Sequence, residues 1–232
     1  MQIINPGKQR IWNGLSGSAL KMIAMLLMFI DHAGVVLYQN DRQMGIIGRS
    51  AFPIFVFLLV EGFTYTHDRR KYAFRLALFA LLSELPFNLL STGSLWDISF
   101  QKQNVMFTLL FGFLTIWTLE EIRNEKINAG MQMSASLLVS IAGAAAAFFC
   151  HTDYSMYGVM AMVVMYFLHG NRILEMFGGC LVLCCMEGTE PYCLFSLLPV
   201  LFYNGKRGHS LKYLFYAFYP LHMLLLYVLS VF

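Results

Sequence analysis

The chain has 232 residues, of which 58% are hydrophobic, 16% aromatic and only 12% charged, against roughly 45–50% apolar and about 25% charged in soluble domains. A water-soluble fold of this size has too little interior to hide that much apolar surface, and a net charge of +3 spread over short loops excludes a nucleic-acid-binding stripe. No Ser/Pro-rich linker, low-complexity tract or repeat period interrupts it, so residues 1–232 read as a single domain whose solvent is lipid.

The first seventeen residues are polar and the apolar stretch after them is full-length, which predicts a retained span and not a cleaved secretory signal. Apolar stretches near the roughly 20 residues that cross a bilayer then recur at approximately 19–38, 49–66, 73–91, 104–120, 133–150, 155–168, 173–187, 191–203 and 211–231. The expected fold class is therefore all-α: a polytopic integral membrane helix bundle of about nine transmembrane helices. The sixth to eighth are short and fit tilted, broken or re-entrant segments, so eight to ten spans satisfy the pattern. The five cysteines, Cys150, Cys180, Cys184, Cys185 and Cys193, show no paired CxxC spacing and read as small apolar core residues.

Basic residues stay preferentially in cytoplasmic loops. With the N-terminus inside, the inner segments hold Lys8 and Arg10, then Arg69, Arg70, Lys71 and Arg75, then Arg123 and Lys126, then Arg172, then Lys206, Arg207 and Lys212. The outer segments hold Arg42 and Lys102, while Lys21 and Arg49 stand at span ends. This alternation predicts a cytoplasmic N-terminus and a chain end on the outer side.

A charged or titratable side chain within hydrocarbon costs about 2.5–3.5 kcal/mol on insertion scales unless a partner or water offsets it. The expected cases are Asp31 and His32 in the first span, Glu61 in the second, Glu84 in the third and His222 in the last. Lys21 and His32 are eleven positions apart, so at about 100° per residue they share a helix face, with a rise of roughly 16 Å between them. That puts Lys21 at the cytoplasmic edge and His32 near mid-membrane. His222 lies about as far beyond Lys212 in the final span. Two histidines at one level predict a polar centre built by the fold; the alternative is that each bonds a neighbouring carbonyl.

A neutral imidazole takes up a proton near pH 7, which makes His32 the first candidate for a general base. Asp31 lies about 100° around the helix from it and is free to pair with a basic group elsewhere, Arg49 being one. Glu61 and Glu84 either close such a network or form structural ion pairs. Glu84 and Asn88 share a face, and Pro86 between them predicts a kink or break. Pro53 after Arg49 and Pro220 before His222 follow the same logic, and broken helices beside polar residues mark a lined cavity. The aromatic series Tyr213, Phe215, Tyr216, Phe218 and Tyr219 reads as an interface belt.

Several motifs recur in one order along the chain: Lys21-Met22-Ile23-Ala24 leading to Asp31-His32; Arg49 with Phe52-Pro53-x-Phe55, then Glu61-Gly62 and Thr64; Tyr72 with Arg75-Leu76, then Ser83-Glu84-x-Pro86-Phe87; Asn104 with Thr108; Asp153-Tyr154; and Lys212-Tyr213-x-Phe215-Tyr216 before Phe218-Tyr219-Pro220-x-His222. Together they resemble the TraX family of membrane proteins. The name-giving member of that family acetylates the N-terminal amine of a conjugative pilin subunit. The family is in turn similar to the larger group of transmembrane acyltransferases, whose first span carries a basic residue, ten intervening residues and a histidine, the spacing of Lys21 and His32.

The resemblance implies a multi-pass acetyltransferase of the bacterial inner membrane. Its acyl donor is acetyl-CoA from the cytoplasm, and its acceptor is the N-terminal amine of a pilin-like or other peptide, or a glycan hydroxyl. His32 and Asp31 are then the catalytic candidates. Lys21, Arg49, Glu61, Glu84, Asn88, Asn104, Tyr219 and His222 are candidates for substrate binding, and no metal or nucleic acid is expected. The CoA phosphates need cations, and Arg69, Arg70, Lys71 and Arg75 are the densest set, although the positive-inside bias demands the same charges. The alternative from another class is a transporter or channel in which Asp31, Glu61, Glu84 and the histidines relay protons. Transporters commonly show internal repeats, and none is visible here. A palmitoyltransferase would need a cysteine after its Asp-His pair, which Asp31-His32 lacks.

Overall fold

Residues 14–93, 102–186, 188–210 and 212–231 are described in a computed structural model, and every element of regular structure among them is helical. Lys8 and Arg10, expected in a cytoplasmic N-terminal segment, lie outside the described residues. In chain order the helices are α1 Gly17–Val36, α2 Arg42–Gly48, α3 Ala51–Tyr65, α4 Arg69–Thr92, α5 Val105–Asn124, α6 Ala129–Phe149, α7 Ser155–Phe167, α8 Arg172–Leu183, a 3₁₀ segment Glu190–Ser196 running into α9 Leu197–Leu201, and α10 Lys212–Val231.

Local chemistry sets the helix starts. Ser16, Asp41, Asp68, Asn104, Asn128 and Asn171 each precede a helix, and their side-chain oxygens accept from a backbone N–H of the first turn, satisfying a donor that has no partner within the helix. At Asp68 the N–H and side chain of Lys71 hold the carboxyl below its usual range.

Six helical segments are long and apolar enough to cross a membrane: Gly17–Val36, Arg42–Tyr65, Arg69–Thr92, Val105–Asn124, Ala129–Phe149 and Tyr213–Val231. These account for six of the nine expected stretches, and the sixth to eighth are the short ones, as their lengths in sequence predict. The sixth stretch is a 13-residue helix, the seventh a 12-residue one, and the eighth divides between a 3₁₀ segment and a single α-helical turn. At 1.5 Å per residue, 13 residues reach about 20 Å, short of the roughly 30 Å hydrocarbon core. Of these, α7 is the most interior and buries Val159, Ala161, Met162 and Met165 against α3 and α5, whereas α8 exposes Ile173, Leu174, Phe177 and Leu181.

The prolines act differently from one another. Pro53 falls in the first turn of α3, where its missing N–H costs nothing, and the true interruption precedes it at Arg49–Ser50, between α2 and α3. Pro86 and Pro220, by contrast, lie inside α4 and α10, which continue past them. The expected break at Pro86 is therefore absent.

Contacts between loops gather at two ends of the bundle. At the Lys21 end the start of α1 is stitched to the loop after α9: Leu15 N–H donates to the Phe202 carbonyl at 2.7 Å and Gly17 N–H to Lys206 at 2.8 Å. This end also carries Arg69, Arg70, Arg123, Arg172 and Arg207, whereas the Arg49 end carries Arg42 and Lys102. Between the ends, α3 is the central rod. Its Phe57 and Phe63 are almost wholly buried, and Phe63 meets Phe113 edge-on at 5.5 Å. The outermost helix is α6, which exposes Met131, Met133, Leu137, Leu138, Ile141 and Phe149, the band that lipid covers.

Helix α6 reaches α5 only because residue 143 has no side chain: a Cβ on Gly143 would stand 2.0 Å from Thr115 Oγ1. Gly143→Leu should therefore splay the pair and lower the unfolding midpoint in detergent, by the equivalent of about 1–3 kcal/mol for overpacking. Thr115→Ala in the same chain should recover part of the loss, and equal midpoints for wild type and Gly143→Leu would contradict this packing.

Candidate functional site

The first and last long helices run side by side, and each contributes a histidine at the same level. His32 is the sixteenth of the 20 residues of α1, and His222 the eleventh of the 20 of α10. His32 Nδ1 stands 2.8 Å from His222 Nε2, with the rings 5.0 Å apart and 14° from parallel. On the far side of the His222 ring, Nδ1 lies 2.9 Å from the Phe218 carbonyl one turn back. Tyr219 packs against both rings.

These contacts determine the protons. A carbonyl only accepts, so His222 Nδ1 carries the hydrogen, and the neutral ring then accepts at Nε2. His32 Nδ1 must be the donor in that bond. The lone pair of His32 is therefore on Nε2, away from His222 and available to take a proton. Two imidazolium rings at this separation would repel, so the pair holds at most one extra proton.

Beside the histidines lies an ion-pair network centred on Arg49, in the break between α2 and α3. Its Nη2 donates to Asp31 at 3.1 Å, its Nη1 to Glu190 at 2.7 Å, and its Nε to the Gly45 carbonyl at 3.3 Å. The approach depends on Gly48, where a Cβ would stand 2.2 Å from that of Asp31. Tyr154 closes the other side, within electrostatic reach of Arg49 and stacked on Phe52 at 3.7 Å. His151, Tyr154 and Ser155 have φ of 50°, 40° and 43°, a region costly for side-chain-bearing residues that collects at functional sites. Asp153 meets Lys102 at 3.1 Å.

Glu84 and Asn104 form a third unit. Glu84 accepts from the Asn104 backbone N–H at 3.2 Å and from its amide, while Asn104 also donates to the Ala80 carbonyl at 2.9 Å and caps α5 through Met106 N–H at 3.0 Å. Asn88, a turn beyond Glu84, is buried, and its Oδ1 has no hydrogen-bond partner among the described residues.

Seven of the sequence candidates thus gather towards the Arg49 end: Asp31, His32, Arg49, Glu84, Asn104, Tyr219 and His222. Lys21 and Glu61 belong to the other end. Lys21 Nζ lies 5.2 Å over the Phe215 ring, with the charge of Arg207 nearby, and Glu61 accepts from the Tyr203 hydroxyl at 3.4 Å. The basic set does not converge. Arg69 is shared between Glu120 and Glu121 and covers Phe63, Lys71 pairs with Asp68, Arg70 is exposed, and Arg75 lies over Tyr72. Sequence reasoning passed over Glu190, whose one signal is a carboxylate before Pro191 at the head of an apolar stretch. It also gave no role to Tyr154 or Arg207.

The family model described as "TraX protein" matches residues 16–230. The chain is similar to the probable fimbrial assembly protein FimC, serogroup H1, of Dichelobacter nodosus, at 25% identity over 240 residues that cover 91% of this chain and 94% of that protein. No solved structure matches.

Among the described residues, Arg49 is the cation paired with both Asp31 and Glu190, and its removal breaks both pairs. Arg49→Gln should therefore lower the unfolding midpoint in detergent, approaching the 3–5 kcal/mol typical of breaking a buried pair but reduced by the partial exposure of this one. Glu190→Gln on that background should restore part of the loss. Additive losses in the double variant would show that Arg49 and Glu190 are uncoupled.

Proposed function

The chain belongs to the TraX family, and from that premise we propose that it is a membrane acetyltransferase with His32 as its general base. The observation that carries the reading is the hydrogen-bonded chain from the Phe218 carbonyl through His222 to His32, which leaves His32 Nε2 as the proton acceptor. The reaction joins acetyl-CoA and an amine to give an amide and free CoA. A free α-amine has a pKa of about 7.7–8, so a base is needed when its nitrogen attacks the thioester. His32 Nε2 takes the proton the nitrogen sheds and returns it to the departing thiolate sulfur. His222 is a positioning residue: it fixes the tautomer and spreads the developing positive charge towards Phe218.

The wider family supplies the acceptor class. A pilin-like N-terminus fits the family name-giver and the relative known as a fimbrial assembly protein; a glycan hydroxyl would need the same base. The positive-inside bias turns the Lys21 end to the cytoplasm, where Lys21, within electrostatic reach of Arg207, favours the CoA phosphates. From there the extended thioester arm runs along the face that Lys21 shares with His32. The acceptor then enters from the opposite side. A proton relay is less well supported, since Asp31 and Glu190 are spent on Arg49 and Glu84 on Asn104.

His32→Ala should lower acetyl transfer by about 10²–10⁴, the range for loss of a general base, while the detergent-purified protein keeps its elution profile. His222→Ala should be milder, and His222→Gln, whose amide oxygen can still accept from His32 Nδ1, milder again. Turnover from radiolabelled acetyl-CoA measures all three, and His32→Ala activity above about a tenth of wild type would remove His32 from the mechanism. The orientation has its own check: a reporter fused after Phe232 should read as extracytoplasmic and one between Arg123 and Lys126 as cytoplasmic, and matching compartments would refute it.

A further inference from the structure

At the end of the bundle opposite the histidine pair, Glu61 of α3, His169 of the α7–α8 turn and Glu175 of the first turn of α8 converge. One ligand atom from each lies within 4.8 Å of the other two. His169 Nδ1 is 3.2 Å from Glu175 Oε2. That is a long hydrogen bond, and it also matches the edge, about 3.3 Å, of a tetrahedron with metal–ligand bonds of roughly 2.0 Å. Glu175 has no exposed surface, and its second oxygen, Oε1, has no hydrogen-bond partner among the described residues.

The helix dipole favours an acidic residue in the first turn of α8, but it does not account for a fully buried carboxylate with an unbonded oxygen beside a second carboxylate. A buried carboxylate with one oxygen left unbonded and a second carboxylate beside it is strongly unfavourable. Arg172 is the neighbouring cation, yet its Nη1 donates to the Tyr203 carbonyl at 2.9 Å and its guanidinium lies over the Tyr203 ring. The Tyr203 hydroxyl supports Glu61 from outside at 3.4 Å, as an outer partner does for a metal ligand.

We propose that Glu61, His169 and Glu175 bind a divalent first-row transition-metal ion that ties α3 to the α7–α8 turn. Two carboxylates with one imidazole suit Zn²⁺, Fe²⁺ or Mn²⁺, whereas Mg²⁺ and Ca²⁺ prefer oxygen ligands alone and Cu⁺ prefers sulfur. His169 keeps 23% of its side chain exposed and provides the entry path. Such an ion would run against the expectation of a metal-free protein, and it is independent of the acetyl-transfer reading.

The test uses the full chain in detergent, stripped with a chelator, incubated with Zn²⁺ and freed of unbound ion. Elemental analysis should find about one zinc per chain, and the unfolding midpoint should rise with zinc concentration. His169→Asn and Glu175→Gln should each weaken zinc binding at least tenfold, no less than loss of an outer partner costs, while His67→Asn at an exposed histidine of the same end should leave it unchanged. If Glu175→Gln fails to fold, His169→Asn alone decides. No zinc retained by the wild type, or equal retention by His169→Asn, overturns the proposal.

Discussion

The guanidinium of Arg49 joins parts of the chain that are remote from one another. In a medium where apolar packing between helices competes with lipid of the same polarity, polar contacts and close backbone approach specify which helices meet. Arg49 spends all three of its nitrogens, on Asp31 of α1, Glu190 ahead of α9 and the Gly45 carbonyl of its own α2. Glu190 is 141 residues away. The break between α2 and α3 is what frees this side chain to turn inward, and Gly48 is what lets α2 lie close enough to Asp31. With α1 held in this way, His32 on the next residue faces α10.

The molecule divides its polar chemistry between two ends. The Arg49 end is built from hydrogen-bond chains that assign every proton: Phe218, His222 and His32 in one, Glu84 and Asn104 in another. Most of the exposed positive charge is at the Lys21 end, which also contains the Glu61–His169–Glu175 cluster. The first helix links the two ends, with Lys21 and His32 on one face separated by about 16 Å.

Much of this was legible in the sequence because hydrophobic length and charge count are local properties. The six long apolar stretches, and the depth relation between His32 and His222, follow from counting residues, and Asp31 with Arg49 was a matter of finding a cation for a costly anion. Three things were not legible. Apolar length marks α7 and α8 as short, but which of their faces meets protein depends on what packs around them. Pro86 looks like a breaker, yet α4 continues beyond it. Glu190 looks like loop polarity, because its partner lies across the bundle and no local spacing reveals a contact over so many residues. The candidate CoA cations have the converse problem: dense in sequence, they are dispersed in space among Glu120, Glu121, Asp68 and Tyr72.

The two histidines are separated by 190 residues and meet only through the packing of α1 on α10. During synthesis the first helix enters the membrane long before the last has been made, so for most of its assembly the protein holds His32 without the ring that fixes its tautomer. Contacts so distant along the chain also form late, after the intervening helices have found their places. Ribosomes that stall, or proteases that clip the tail before α10 inserts, would therefore leave a membrane-embedded fragment in which His32 lacks its partner, so that completion of the polypeptide itself becomes the step that assembles the histidine pair.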